Sequence, residues 1–188
     1  MNEEKYISGI AEQFIESGYR GTTTAMLAKR LKVRENVLYR VWPSKSEMFL
    51  ASIEYIFDVT FASWQSYLER MPEGADPAEW LLRQQAENHG QMGLYRLVYA
   101  GILEDDPQIR SAVKNIYQKF HQFISQLLAT RPSDTNASPL NPESAAWALI
   151  GLGAIVDLQR ELDLASLMER QSLLEQAGGL VIGGLSGN

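Results

Sequence analysis

Apolar residues recur along the chain with the three-to-four-residue spacing of amphipathic helices. Near the start, one helical face carries Ile7, Ile10, Ala11, Phe14 and Ile15. Gly18 follows, and glycine is typical of the position just after a helix. The same spacing continues through most of the sequence, and we find no segment with the strict apolar–polar alternation of a β-strand. The pattern therefore predicts an all-α protein of about nine helices.

Capping residues and prolines divide this pattern into separate helices. Asp106-Pro107 and Asn141-Pro142 each place an N-cap residue before a proline, which marks a helix start. Pro43 favours a helix end just before it. After the first helix, the predicted helices cover 23–31, 34–41, 45–70, 77–88, 94–103, 107–130, 142–161 and 166–182. The turn-rich segment 131–141 is predicted to be a loop.

The second and third predicted helices have the spacing of a helix-turn-helix. Residues 23–31 form the supporting helix, Lys32 and Val33 the turn, and 34–41 the reading helix. Leu27 and Leu38 can pack the two helices together. In such motifs the second helix enters the major groove of DNA. The outward side chains of the reading helix, which we expect to face DNA, are Arg34, Glu35, Asn36, Tyr39 and Arg40.

The distribution of charge supports this interpretation, although the chain carries a net charge of −6. The window 20–45 contains seven Lys or Arg residues and one acid, whereas 51–188 contains nine Lys or Arg residues and seventeen acids. A basic N-terminal patch on an acidic body is typical of a DNA-binding protein.

A series of spaced residues between Gly18 and Phe49 follows a known motif. Its members are Gly18-Tyr19, Thr22-Thr23, Leu27-Ala28, Val33, Leu38-Tyr39, Trp42, Ser44-Lys45 and Met48. This arrangement resembles the tetracycline-repressor (TetR) family of transcription regulators. The chain departs from the family pattern in three places. Lys32 stands where glycine is usual, Arg34-Glu35 replaces Ser-Lys, and Asn36 replaces a small residue. These departures concern the DNA sequence that is read and not the fold.

The resemblance implies a helix-turn-helix DNA-binding domain in residues 1–45 and a helical ligand-sensing and dimerisation domain in 46–188. It implies a homodimeric regulator that binds a palindromic operator in double-stranded DNA. The expected regulator is a repressor released by an unknown small-molecule effector. The alternative is a DNA-binding regulator controlled by a protein partner, with no small-molecule pocket.

The chemistry of the N-terminal side chains suggests roles on DNA. Lys45, at a helix start, and Thr23 or Thr24 are expected to bind phosphate. Tyr39 resembles the family's phosphate-contacting tyrosine. Guanine would be read by Arg34 and Arg40, adenine by Asn36, and the cytosine amino group by Glu35.

Two further groups of residues are expected in the C-terminal domain. Small and aliphatic residues of the last two helices would form the dimer interface: Ala148, Gly151, Leu152, Ile155, Leu173, Leu174, Ala177, Leu180 and Val181. Aromatic residues with a few polar anchors would line an effector pocket. The candidates are Trp64, Gln84, His89, Tyr95, Tyr99, Tyr117 and Phe120.

Other classes of protein fit the sequence poorly. With no cysteine, two histidines and no Glu-x-x-His motif, it predicts no metal site, no cofactor and no catalytic residues. It shows neither a phosphate-binding glycine loop nor a nucleophile elbow, so we expect no enzyme. No apolar run is long enough for a membrane span, and the acidic start does not resemble a secretory signal. We therefore expect no membrane partner and a cytoplasmic protein.

Overall fold

The computed structural model describes residues 4–131 and 140–183. Within these ranges the chain forms nine α-helices and no strand, which confirms the predicted fold class. The helices are α1 (Glu4–Gly21), α2 (Thr24–Leu31), α3 (Glu35–Tyr39), α4 (Lys45–Glu69), α5 (Pro77–Asn88), α6 (Leu94–Ile102), α7 (Pro107–Ala129), α8 (Pro142–Glu161) and α9 (Leu167–Gly183). The predicted loop at 131–141 lies mostly outside the described residues.

Side-chain caps fix the starts of three helices. An oxygen of Asp76 accepts the Ala78 N–H at 2.9 Å at the start of α5. Asp106 Oδ1 accepts the Gln108 N–H at 2.8 Å before α7, and Asn141 Oδ1 accepts the Ser144 N–H at 2.8 Å before α8. Each cap precedes a proline in the first turn, which needs no hydrogen-bond acceptor there.

The described chain divides into two compact units. The first unit contains residues 4–62 and 92–116, and the second contains 63–91, 117–131 and 140–183. The first unit therefore holds α1, α2, α3 and α6 with parts of α4 and α7. The predicted domain boundary between residues 45 and 46 stays a prediction.

The core of the first unit is built around α1. Phe14 on α1 is fully buried and packs edge-on against Phe49 of α4, with ring centroids 5.0 Å apart. Gly9 lies so close to Leu31 of α2 that a Cβ there would be 2.7 Å from a methyl carbon of that leucine. Close packing of this kind holds the short helices α2 and α3 on a rigid support.

The second unit has two apolar clusters. One consists of Ala78, Leu128, Ala145, Ala146 and Ile182, and the other of Ala86, Val156 and Leu174. Small residues bring the helices together: a Cβ on Gly178 of α9 would lie 2.7 Å from Leu82 of α5.

No helix in the described ranges combines the length and hydrophobicity that crossing a membrane requires. Among the same residues, no three His, Cys, Asp or Glu side chains are grouped so as to hold a metal ion.

Candidate nucleic-acid interface

The supporting helix begins after a sharp break in α1. Gly18 has φ 67° and ψ 175°, a conformation that is open almost only to glycine. The buried Thr22 hydroxyl donates to the Gly18 carbonyl at 2.7 Å and so fixes the chain after this break. The next residue, Thr23, is the N-cap of α2, and its side chain accepts the Met26 N–H at 3.2 Å.

The turn between the supporting and reading helices contains the unusual lysine. Lys32 adopts the left-handed conformation, with φ 55° and ψ 41°, as the C-cap of α2. Its N–H donates to carbonyls of Ala28 and Lys29, so the backbone follows the usual helix C-cap geometry. A side chain here costs about 1 kcal/mol or more relative to glycine.

The reading helix α3 is shorter than predicted. It spans Glu35–Tyr39 and not residues 34–41, because Arg34 is extended at φ −85°, ψ 148° and the chain turns after Tyr39. Leu38 is fully buried and anchors the helix to its support. As predicted, the outward side chains are all exposed: Arg34, Glu35, Asn36, Tyr39 and Arg40. Trp42, which follows the reading helix, is buried, at 4% exposed.

Three of these candidate DNA contacts are linked to one another. The Thr24 hydroxyl donates to Glu35 Oε2 at 2.6 Å. The Tyr39 hydroxyl donates to Thr24 Oγ1 at 3.3 Å. The arrangement joins the start of α2 to both ends of α3, and it ends on a carboxylate.

Lys45 makes internal contacts at the start of α4. Its ammonium donates to the Tyr19 carbonyl at 3.0 Å and the Thr22 carbonyl at 3.1 Å, and it lies 4.2 Å from the centre of the Tyr19 ring. Two of its three N–H groups therefore satisfy carbonyls at the end of α1. The phosphate contact expected of Lys45 stays a prediction.

Two other cations of the basic window are paired with carboxylates. Arg30 binds Glu16 at 2.7 Å and Glu12 at 3.1 Å, and its guanidinium holds the pKa of Glu16 below its ordinary value. Arg20 binds Glu104 at 2.9 Å. These arginines stabilise α1 against its neighbours, and their charges are largely balanced within the first unit.

The remaining cations of the window are concentrated around the reading helix. Lys29, Lys32, Arg34 and Arg40 are exposed, and no described residue forms an ion pair or hydrogen bond with any of these four side chains. Exposed positive charge without carboxylate partners, on and next to a short helix, is suited to an anionic polymer.

The predicted effector residues are only partly brought together. Tyr95 and Tyr99 belong to the first unit, where their rings lie 6.1 Å apart. The other five belong to the second unit: Trp64, Gln84, His89, Tyr117 and Phe120. Among these, the rings of Trp64 and Phe120 are in contact, with centroids 4.8 Å apart.

A buried carboxylate that sequence reasoning missed lies beside His89. Asp157 is 5% exposed, and its Oδ2 is 3.2 Å from His89 Nε2. Its other oxygen, Oδ1, receives no hydrogen bond from any described group, although Arg160 Nη1 is 3.5 Å away. Burial, and next the negative charge of Asp157, raise the pKa of Tyr117. The signal in the sequence was an isolated aspartate in the apolar run 152–158.

The predicted dimer residues fall into two groups. Gly151, Ile155 and Leu180 are exposed. Leu174, however, is 4% exposed and belongs to an internal cluster against which Leu152 and Leu173 pack. For Leu174 the structure corrects the expectation, because its own side chain faces the protein's core.

The comparisons with known proteins agree with this geometry. Residues 7–52 match the model of the family described as bacterial regulatory proteins, tetR family. The nucleoid occlusion factor SlmA of Aliivibrio fischeri (strain MJ11) is 28% identical over 152 residues, which cover 79% of this chain and 78% of that protein.

Solved structures show the same fold at low identity. A transcriptional regulator of Saccharomonospora viridis in complex with choline is 16% identical, with a TM-score of 0.76 over 91% of this chain and 92% of its own. AibR in complex with isovaleryl coenzyme A and operator DNA is 12% identical, with a TM-score of 0.74 over 97% of this chain and 98% of its own. The comparisons therefore place residues 7–52, which hold the helix-turn-helix, in the tetR family of bacterial regulatory proteins, a family of DNA-binding transcriptional regulators.

Proposed function

We propose that the chain is a homodimeric repressor that binds a palindromic operator and is released by a small-molecule effector. The observation that carries the DNA part is the exposed cationic cluster around α3, with Arg34 and Arg40 on the outward side of a helix anchored by Leu38. Guanidinium groups there can read guanine in the major groove, and Asn36 can read adenine.

Contacts to the DNA backbone are assigned to residues around the same helix. Thr23, Thr24 and Tyr39 offer hydroxyl groups, and Lys45 lies at the first residue of α4. Such contacts position a protein on the duplex without reading its sequence.

Dimerisation follows from one apolar face of α8. Ile155 is 49% exposed and Leu162 is 58% exposed, although both are large aliphatic residues. At helical spacing with them lie other exposed residues of the same face: Trp147, Gly151 and Leu158. Burial of such a face against a second copy is favourable, since exposed apolar area of this extent typically marks an interface. On α9, Leu180 is the best-exposed of the predicted contacts, and Ala177 and Val181 remain partly exposed, as does Ala148 on α8.

We assign the effector to the second unit. The support is the buried carboxylate of Asp157, with His89 at 3.2 Å and Arg160 at 3.5 Å, three polar groups that can fix the polar end of a ligand. The aromatic pair Trp64 and Phe120 supplies apolar surface in the same unit. Two regulators of the same fold were solved with choline and with isovaleryl coenzyme A.

Selection of bound duplexes from a random pool tests the repressor proposal. We expect a recovered palindrome whose half-site centres are about 34–36 Å apart, one turn of DNA. Arg34→Ala should then cost about 1–3 kcal/mol and relax the preference at one base pair. Arg83→Ala, at an exposed arginine of α5, is the matched control and should leave the preference unchanged. A selected sequence without two-fold symmetry would contradict the dimeric arrangement.

A second candidate function comes from the curated relatives, which are named nucleoid occlusion factors. The chain would then act at many chromosomal sites, and a protein partner could replace the small molecule. Mapping bound sites across the chromosome distinguishes the two: a few promoter sites favour the repressor, and many sites far from promoters favour the second candidate.

A further inference from the structure

The reading helix carries one acidic residue within a basic segment of the chain. Glu35 is the one Asp or Glu in the window 20–45, and it lies exposed in the first turn of α3. Arg34, Arg40 and the other exposed cations would bind any duplex through its phosphates, with little regard to sequence. A carboxylate in the middle of this surface weakens that general attraction.

The carboxylate is also connected to the hydroxyl groups expected to meet phosphate. Thr24 donates its only hydroxyl hydrogen to Glu35 at 2.6 Å, and Tyr39 donates its own to Thr24 at 3.3 Å. A phosphate that takes either hydrogen must displace an existing hydrogen bond. It must also approach a negative charge that is one or two hydrogen bonds away, where like charges repel.

The DNA bases that face Glu35 determine whether this loss of binding free energy is offset. In the major groove the amino groups of cytosine and adenine are the hydrogen-bond donors, whereas guanine and thymine present only acceptors there. A carboxylate therefore gains a partner at some base pairs and meets a second acceptor at others. Its repulsion from the backbone is the same on every sequence.

We propose that Glu35 is a specificity-determining residue that works mainly by rejection. It lowers affinity for DNA in general through the Tyr39–Thr24–Glu35 chain of hydrogen bonds, and the loss is offset only where a base amino group faces the carboxylate. This proposal rests on the proposed function, since it needs a preferred sequence to exist.

The test is Glu35→Gln, which removes the charge and keeps an oxygen that can accept the Thr24 hydroxyl. Binding is measured for a random-sequence duplex and for the duplex selected by the wild-type protein, over a series of salt concentrations. We expect affinity for the random duplex to rise about threefold to tenfold, with a salt dependence steeper by about one unit. Affinity for the selected duplex should rise less or fall, so the ratio of the two decreases.

Glu47→Gln is the matched control. Glu47 is an exposed acid in the first turn of α4, and its replacement changes the net charge by the same amount. We expect it to alter both affinities less than twofold. Equal gains for the two variants would overturn the proposal, because the effect would then be one of net charge alone.

The proposal would likewise be overturned if Glu35→Gln left the ratio of the affinities for the selected and the random duplex unchanged. Failure of the proposed function gives a different result, since the wild-type protein would then prefer no duplex over random competitor. A preference retained by the wild type and unaffected by Glu35→Gln counts against the role of Glu35 only.

Discussion

The two units of the molecule differ in the groups that they bury and in the groups that they expose. In the first unit, the buried hydroxyls of Thr22 and Ser52 each donate to a backbone carbonyl at 2.7 Å, and exposed charge is concentrated around α3. In the second unit, the buried carboxylate of Asp157 lies beside His89 and Arg160, and one side of α8 exposes a row of large aliphatic residues: Ile155, Leu158 and Leu162.

This difference indicates what each unit needs. Exposed cations are well solvated in water, so the surface around α3 needs no partner for its solvation, and it attracts DNA from a distance. Exposed aliphatic side chains are poorly solvated, and a continuous row of them typically marks a surface that another molecule covers. The second unit is therefore the one expected to gain stability from contact with another molecule. The following changes test that contrast, beginning with the largest expected effect.

Ile155→Asp should separate the proposed dimer. A charge in the middle of the apolar face of α8 would have to be desolvated on association. We expect a monomer in sedimentation experiments, and about a hundredfold or greater loss of operator affinity because two linked reading helices become one. Ile102→Asp is the control, since Ile102 is 44% exposed in the first unit, close to the 49% of Ile155. A dimer that survives Ile155→Asp would show that α8 does not form the interface.

Gly153→Val should destabilise the second unit itself. A Cβ at this position would lie 2.9 Å from Cε1 of His89, whose Nε2 is also held near Asp157 and the Gly153 carbonyl. The resulting overpacking should cost about 1–3 kcal/mol in urea unfolding. Gly179→Val, where a Cβ meets no atom within 4 Å, should cost little. Equal losses would place the cause in the helix backbone and not in the contact with His89.

Lys32→Gly should stabilise the first unit. Glycine adopts the left-handed conformation of this residue without strain, so we expect a gain of roughly 0.5–1 kcal/mol after allowing for the more flexible unfolded chain. Lys32→Ala removes the same charge but keeps the Cβ, and it should give no such gain. Thermal denaturation of both variants measures the difference. A similar rise in Tm for the two would assign the effect to charge.

Asp106→Asn should produce the smallest change, and only above acidic pH. The Ser46 hydroxyl, and next the backbone N–H of Gln108, hold the pKa of Asp106 below its ordinary value. Because the folded-state pKa is the lower one, this carboxylate stabilises the protein above the unfolded-state value and the effect is lost as pH falls through the folded-state value. At pH 7 the variant should melt about one degree lower than wild type, since asparagine keeps an oxygen that can cap the helix. Near pH 3 the difference in Tm between the variant and the wild type should narrow, and a difference that stays constant with pH would contradict this role of Asp106.

The sequence predicted features that depend on neighbouring residues. The starts of α5, α7 and α8 agree with prediction because Asp76, Asp106 and Asn141 cap their own helices. The outward set on α3 was predicted because one buried residue, Leu38, fixes the rotation of a short helix.

Features that depend on distant contacts were not predicted. Tyr95 and Tyr99 lie in the first unit and the other five effector candidates in the second. Aromatic composition does not reveal which helices pack together, so the effector site stays a prediction. Leu174 was assigned to a surface because apolar spacing does not distinguish an internal face from an external one. The link between Ser46 and Asp106, at 2.6 Å, joins residues sixty positions apart, and no local pattern signals it.

The packing of α1 has a mechanical consequence. Gly9 admits Leu31 of α2 on one side, and farther along the helix Ile15 lies against Gly93 at the start of α6, where a Cβ would be 2.9 Å away. Because there is so little free space at these two contacts, α1 cannot shift against α2 or against the start of α6 without disturbing their packing. We therefore expect a displacement of α6 to tilt α1, and α2 and α3 to move together with α1. A larger residue in place of Gly9 or Gly93 would disturb this coupling between α6 and the reading helix, although neither glycine is a proposed DNA contact.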